Sequence, residues 1–297
     1  MFKGLIGGLC GLCVMAGACW IAAVIYVNAD GSRLAERYLQ PLSGRGEVTY
    51  GAVEKSLFSQ DLVIRDIKIR TADGRRVTIA EVLVRQYDWL SARNPTFADV
   101  TVTGLAANAA TLGPQVEAQA ARAGLKRIDA DIHYAFEYDA EARWLRIETM
   151  RIAIKEIGTL TLEAAFAGFP KPDLSRAGLN KAVLTAKIAR AQAVFTDKNL
   201  ASRIVDVKAA AAGLSNDKAK AAFIRDLDKR QKAARNSLLK EMYGVFRLYI
   251  AKPGKITIAI QPDRPVRLAS LVPAFFFSPG QIKRILNLRI TTSSVQP

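Results

Sequence analysis

Residues Arg127–Asp139 read RIDADIHYAFEYD. Ile128, Ala130, Ile132, Tyr134, Phe136 and Tyr138 alternate without a slip with Asp129, Asp131, His133, Ala135, Glu137 and Asp139. Successive side chains of an extended chain point to opposite faces, so a period of two predicts a strand with one apolar and one wet face. Strands of that kind belong to antiparallel sheets. The fold class that follows is α+β, mainly antiparallel β.

The same period continues on both sides of this stretch. Asp139-Ala-Glu-Ala-Arg143 turns into a strand over Trp144–Ile154, and Lys155-Glu-Ile-Gly158 turns into Thr159–Ala167, where Leu160, Leu162, Ala164 and Phe166 alternate. Ala182, Leu184, Ala186 and Ile188 carry the pattern on to Phe195. Toward the amino end, Val100 and Val102 mark one strand and Arg76–Arg85 another. Ile67 and Ile69 mark a third, before a turn at Thr71–Gly74, and Val48 and Tyr50 open the series. Strands at this spacing with short turns predict an antiparallel meander.

Beyond Phe195 the period becomes helical. Thr196 or Asp197 is expected to cap a helix from Lys198 to Ala212, closed by Gly213. A second helix starts at Ser215-Asn-Asp217, with Phe223, Leu227, Ala234, Leu238 and Met242 as its apolar stripe and eight Lys or Arg between 218 and 240. It is expected to bend or break at Gly244 and to continue to Ile250. After Lys252-Pro-Gly254 come a strand at Ile256, Ile258 and Ile260, a loop bounded by Pro262 and Pro265, a short helix from Ser278-Pro279, and a last strand at Leu286, Leu288 and Ile290.

The amino-terminal stretch differs in kind. Gly4–Val27 contains no charged residue, and as a helix it reaches ~36 Å, enough for a ~30 Å hydrocarbon core. Trp20 and Tyr26 suit its far interface. This predicts a single transmembrane helix with residues 1–3 in the cytoplasm and the bulk of the chain in the periplasm. Cleavage after Val27-x-Ala29, or lipidation at Cys19 after Ala16-Gly17-Ala18, are the alternatives. Gly4-x-x-x-Gly8 and Gly7-x-x-x-Gly11 give the span a small-residue face that permits helix association. Cys10 and Cys13 read as small apolar side chains there. Ser32–Gln40 is an amphipathic connector helix ended by Pro41. The predicted organisation is the span over 4–27, a connector over 28–45, a β-sheet domain over 46–197, a helical insertion over 198–250, and strands and a short helix over 251–297 that complete the β domain.

The formal net charge is +16; Lys3 aside, 42 Lys or Arg stand against 27 Asp or Glu, a net +15. With a membrane span present, the anionic partner implied is phospholipid rather than nucleic acid. A solvated basic surface or an envelope protein partner are the alternatives. All three cysteines precede Asp30, so no disulfide framework is expected.

Tyr50-Gly-Ala-Val, Ser56-Leu-Phe58, the strand Leu62-Val-Ile-Arg-Asp-Ile-Lys-Ile69, Asp73-Gly74 and the strand Val77–Val84 follow one another in a set cadence. With the amino-terminal span, this opening resembles the AsmA-like envelope proteins of Gram-negative bacteria, themselves similar to bridge-like lipid-transfer proteins. The resemblance implies a long, curved antiparallel sheet with an apolar inner groove and a role in binding or handling lipid for envelope maintenance. It covers about residues 1–105, and the helices over 198–250 fall outside it.

Candidate residues follow from these readings. Ile128, Ile132, Tyr134, Phe136, Tyr138, Leu160 and Leu162 form a face turned to core or to lipid. Phe275, Phe276 and Phe277 lie in Leu271–Gly280, LVPAFFFSPG, which its prolines exclude from a central strand. These rings either plug the end of the sheet or enter a membrane or groove mouth beside Lys283 and Arg284. The chain's one histidine, His133, shares a strand face with Asp129, Asp131 and Glu137. Those carboxylates suit a cation, but an exposed strand face accounts for them without one. There is no Gly-rich phosphate loop, zinc spacing or Gly-x-Ser-x-Gly. The expectation is a protein that is not an enzyme and carries no cofactor or metal.

Overall fold

In a computed structural model, strand β6 spans Arg127–Asp139 as the alternation predicts. The structure describes residues 46–55, 61–71, 74–87, 96–170, 182, 184–271 and 279–294. The expected span with Gly4, Gly7, Gly8 and Gly11, the connector helix, Ser56-Leu-Phe58 and Phe275–Phe277 lie outside the described residues. Among the described residues no helix is long and apolar enough to cross a membrane.

The chain divides into two compact units, Met1–Tyr138 with Glu148–Lys155, and Asp139–Ile147 with Glu156–Pro297. The first contains β1 (Gly46–Thr49), β2 (Val53–Lys55), β3 (Leu62–Thr71), β4 (Arg76–Tyr87), β5 (Phe97–Asn108) and β6. These strands lie in the order β1-β3-β4-β5-β6, followed by β7 (Trp144–Ile154), and β2 pairs with β3. Pairing from β1 to β6 is antiparallel throughout. A 3-10 turn (Ala109–Leu112) and helix α1 (Pro114–Arg122) link β5 to β6. No helical period announced α1; Pro114 at its first turn is the local signal.

The second unit runs β8 (Gly158–Ala167), β9 (Lys187–Asp197), β10 (Gly254–Ile260) and β12 (Arg289–Ser294), with β11 (Val266–Arg267) also on β9. Helices α2 (Leu200–Ala212), α3 (Asn216–Ala233) and α4 (Ser237–Ala251) stand between β9 and β10, and α5 (Pro279–Ile285) precedes β12. Gly213 closes α2 in the left-handed region at φ 61°. The protein is therefore α+β and mainly antiparallel, with its helices concentrated near the carboxyl end.

Four local expectations are corrected. Asn199, not Thr196 or Asp197, occupies the cap position of α2 and offers no side-chain cap, although the Asp197 carboxylate accepts from Ala201 N–H at 3.3 Å. The expected strand over Ala182–Ala186 is a helical turn in which Ala186 N–H donates to the Ala182 carbonyl at 2.8 Å. Leu184 is 65% exposed while Ala186 is fully buried, so the alternation there was one of composition only. The long helix breaks at Ala234–Asn236 instead of Gly244, because the Asn236 side chain accepts from Leu238 N–H at 2.8 Å and starts α4. Gly244 sits within α4, where the end of the Gln231 side chain of α3 approaches to 2.6 Å of the place a Cβ would take. Finally, Leu286 and Leu288 precede β12 and join a core cluster with Ile188, Leu238 and Ile282.

An aromatic group ties α4 to α3 and β9. Tyr249 stacks on Phe246 at 5.9 Å and meets Phe195 edge-on at 6.5 Å, and Phe246 meets Phe223 at 6.0 Å. The Lys208 ammonium lies 4.3 Å from the Phe223 ring centre. The Tyr249 hydroxyl donates to the Asp197 carboxylate.

Candidate functional site

The residues singled out on β6 sit where alternation puts them. Ile128, Ile132, Phe136 and Tyr138 are buried and Tyr134 is half-buried, its ring 5.6 Å from that of Phe136. Ala135, expected on the wet face, is also buried. Pairing extends this face into rows across four strands. Leu62, Val84, Val100 and Tyr134 form one row, and Ile64, Val82, Val102 and Ile132 the next. Ile69, Val77, Ala107 and Ile128 form another, and Tyr87, Ala98 and Phe136 close the opposite end. Directly opposed side chains of this kind are the stabilising unit of a sheet.

The face stays apolar because the strands break step together. Ile64 and Ile67 are both buried although they are three apart, as are Ile79 and Val82, and Val102 and Leu105. Strict alternation would turn one member of each pair to solvent. Instead each strand turns two successive residues outward, Arg65-Asp66, Ala80-Glu81 and Thr103-Gly104, and these are register neighbours. Asp66 takes φ 57° and Gly104 φ 67°. A Cβ on Gly104 would lie 2.7 Å from that of Ala80, so glycine is required there for both conformation and space. The crease reaches the edge, where β1 and β2 pair with β3 on either side of it and Gly51 N–H donates to the Arg65 carbonyl at 3.0 Å. At β6 the crease ends in a register shift between Val102 and Leu105.

The outward face carries Val63 opposed to Leu83 and is otherwise mostly polar and locally paired. Arg65 holds Glu54 at 2.6 Å and Glu81 at 3.1 Å. The hydrogen bond it donates to Glu81, and then the one to Glu54, keep its guanidinium above the ordinary value. Asp131 accepts from Gly104 N–H at 2.8 Å, fastening the crease to β6, and Asp129 pairs with Arg127 at 2.9 Å. His133 Nε2 lies 2.9 Å from Asp99 Oδ1 on β5, both half-buried. The three acids on its own strand are thus not its partners, and Asp99 comes from 34 residues away. Among the described residues no group of three His, Cys, Asp or Glu is placed to hold a metal ion.

Leu160 and Leu162 belong to the second unit, where they pair with Phe195 and Ala193 of β9; Leu160 is buried and Leu162 half-buried. Lys283 pairs with Glu241 of α4 at 2.5 Å and so staples α5 to α4, whereas Arg284 is exposed.

Burial raises the Tyr134 phenol well above its ordinary value, and burial followed by the Asp197 hydrogen bond does the same for Tyr249. Groups raised on folding contribute stability that is complete below the unfolded value of about 10 and is lost as pH rises toward the folded values. Unfolding free energy should therefore be insensitive to these two groups below about pH 10 and fall above it. Tyrosinate absorbance should reveal at least two phenols that ionise only on unfolding, and one fewer in Tyr134→Phe. Free titration of every tyrosine in the folded chain would contradict their burial.

A family model described as "Uncharacterized protein" matches residues 151–293, slightly less than half of the chain. That stretch runs from β7 to β12 and so falls almost wholly within the second unit. No curated protein matches the chain.

Proposed function

We propose that this chain is a membrane-anchored periplasmic protein of a Gram-negative envelope that binds or handles lipid, in the manner the AsmA-like resemblance implies. The observation that carries the reading is the apolar face of β3–β6, kept in phase through a crease of paired outward residues so that Ile64, Ile67, Ile79, Val82, Val102 and Leu105 all stay on it. A surface of that extent and uniformity suits acyl chains, which demand apolar area without directional bonds. The charge-free stretch Gly4–Val27 supplies the anchor, and the net +15 after Lys3 supplies attraction to anionic headgroups. Phe275, Phe276 and Phe277 would contribute an apolar contact at the groove mouth or membrane, next to the exposed Arg284.

The near-complete burial of Ile64 and Val84, each 1% exposed, favours a second reading. In it the face is closed core, and the chain is an envelope scaffold acting through its basic helices. Both readings share the anchor and the compartment. Protease added to spheroplasts that express the full chain should remove the part beyond Asp30. Protection of the carboxyl-terminal part would overturn the compartment and, with it, access to periplasmic lipid.

A further inference from the structure

Half of the chain's charge lies on a small part of its length. Residues 198–252 hold 13 Lys or Arg against five Asp or Glu, a net +8 of the total +16. On α3 the buried residues Ala219, Phe223 and Leu227 define the inward side. At ~100° per residue, Lys218, Arg225, Lys229 and Lys232 fall on the opposite side, and all four are exposed. Lys232 pairs with Asp228 at 2.7 Å, and Arg230 with Asp226 at 2.8 Å. Lys218, Arg225 and Lys229 have no such partner among the described residues.

A second feature lies in the same unit. Of the six large hydrophobic residues exposed among the described residues, Leu214, Leu239, Leu248 and Ile285 belong to or adjoin its helices. Each is within four residues of a lysine: Lys218, Lys240, Lys252 and Lys283 respectively. On α4, Leu239 and Leu248 are nine residues apart and so point to opposite sides, whereas Leu214 lies in the link between α2 and α3, four residues before Lys218. Apolar tips beside long cationic stems suit a boundary with hydrocarbon on one side and anionic oxygens on the other.

We propose that the helical layer α2–α4 docks on anionic phospholipid headgroups through Lys218, Arg225, Lys229 and Lys232, with the exposed Leu214 entering the interface beside Lys218. The proposal rests on the lipid-handling reading and names the surface that meets the membrane. The test is lysine acetylation of the full chain in mixed micelles of a non-ionic detergent with either phosphatidylglycerol or phosphatidylcholine, read lysine by lysine by mass spectrometry. Lys218, Lys229 and Lys232 should react about fivefold more slowly with phosphatidylglycerol. The exposed Lys68 and Lys126 of the first unit should react equally in both. Equal rates at the α3 lysines in the two micelles would overturn the proposal. So would stronger protection by a short RNA duplex than by phosphatidylglycerol, since the surface would then be a nucleic-acid site. Failure of the lipid-handling reading is seen elsewhere, in the lipid retained through purification, and does not alter these rates.

Discussion

Replacing Ile132 by Asp should lower stability by about 4 kcal/mol or more, enough to unfold the first unit in a protein of ordinary stability. Ile132 is 7% exposed, pairs with Val102, and shares a row with Ile64 and Val82. A carboxylate introduced there finds no cation among the described inward residues of β3–β6, whether that face meets protein or acyl chains. Ile132→Val, which removes one methylene, should cost only about 1 kcal/mol. Lys68→Asp, on an exposed position of β3, should change stability by less than about 0.5 kcal/mol. Denaturant titration of the three variants separates the cases. A melting profile for Ile132→Asp equal to that of Lys68→Asp would show that the face assigned to β6 is wrong.

Tyr249→Ala should be the most damaging truncation in the second unit, at about 3–5 kcal/mol. Tyr249 is 1% exposed and lies against Phe195 and Phe246. Its hydroxyl also satisfies the Asp197 carboxylate that accepts from Ala201 at the start of α2. Tyr249→Phe keeps the ring and removes only that donor, so its cost should be about 1–3 kcal/mol. The difference between the two variants measures packing, and the smaller loss measures the hydrogen bond. Both are read from midpoints of chemical denaturation with the slope unchanged. Equal losses would mean that the ring contributes nothing, contrary to its packing against Phe195 and Phe246.

The antiparallel β assignment was legible because β6 carries its period without interruption, and because Asp139-Ala-Glu-Ala-Arg143 has the residues a tight turn demands. There the Asp139 side chain accepts from the Glu141 and Ala142 N–H groups, each at 2.9 Å. The crease was hidden by the same habit of reading. Leu62-Val-Ile and Ile67-Lys-Ile69 each alternate correctly, but the two halves are out of phase by one residue. The signal was the apolar step of three, repeated at Ile64/Ile67, Ile79/Val82 and Val102/Leu105; a step that recurs in three neighbouring strands belongs to the sheet rather than to any one strand. Gly244 misled in the opposite sense. A glycine in a helix reads as a breaker, yet Gly244 continues α4 beside the Gln231 side chain, while the real break carries neither glycine nor proline. The pairing of His133 with Asp99 depends on the register of β5 against β6, which no local pattern encodes.

Two carboxylates beside the fold line are engaged in it: Asp131 accepts from the Gly104 amide, and Glu81 holds Arg65. The two faces are thus linked, with polar pairing on one side holding the phase of hydrophobic burial on the other.

Lipid handling by a membrane-held sheet is tested most directly by what the full chain retains. The chain is extracted in mild non-ionic detergent, purified, and its bound lipid identified by mass spectrometry beside an unrelated single-span protein treated identically. The account predicts phospholipid retained in at least equimolar amount and enriched in anionic species over the control. Lipid content and composition equal to the control would contradict it and leave the closed-core scaffold as the reading of this fold.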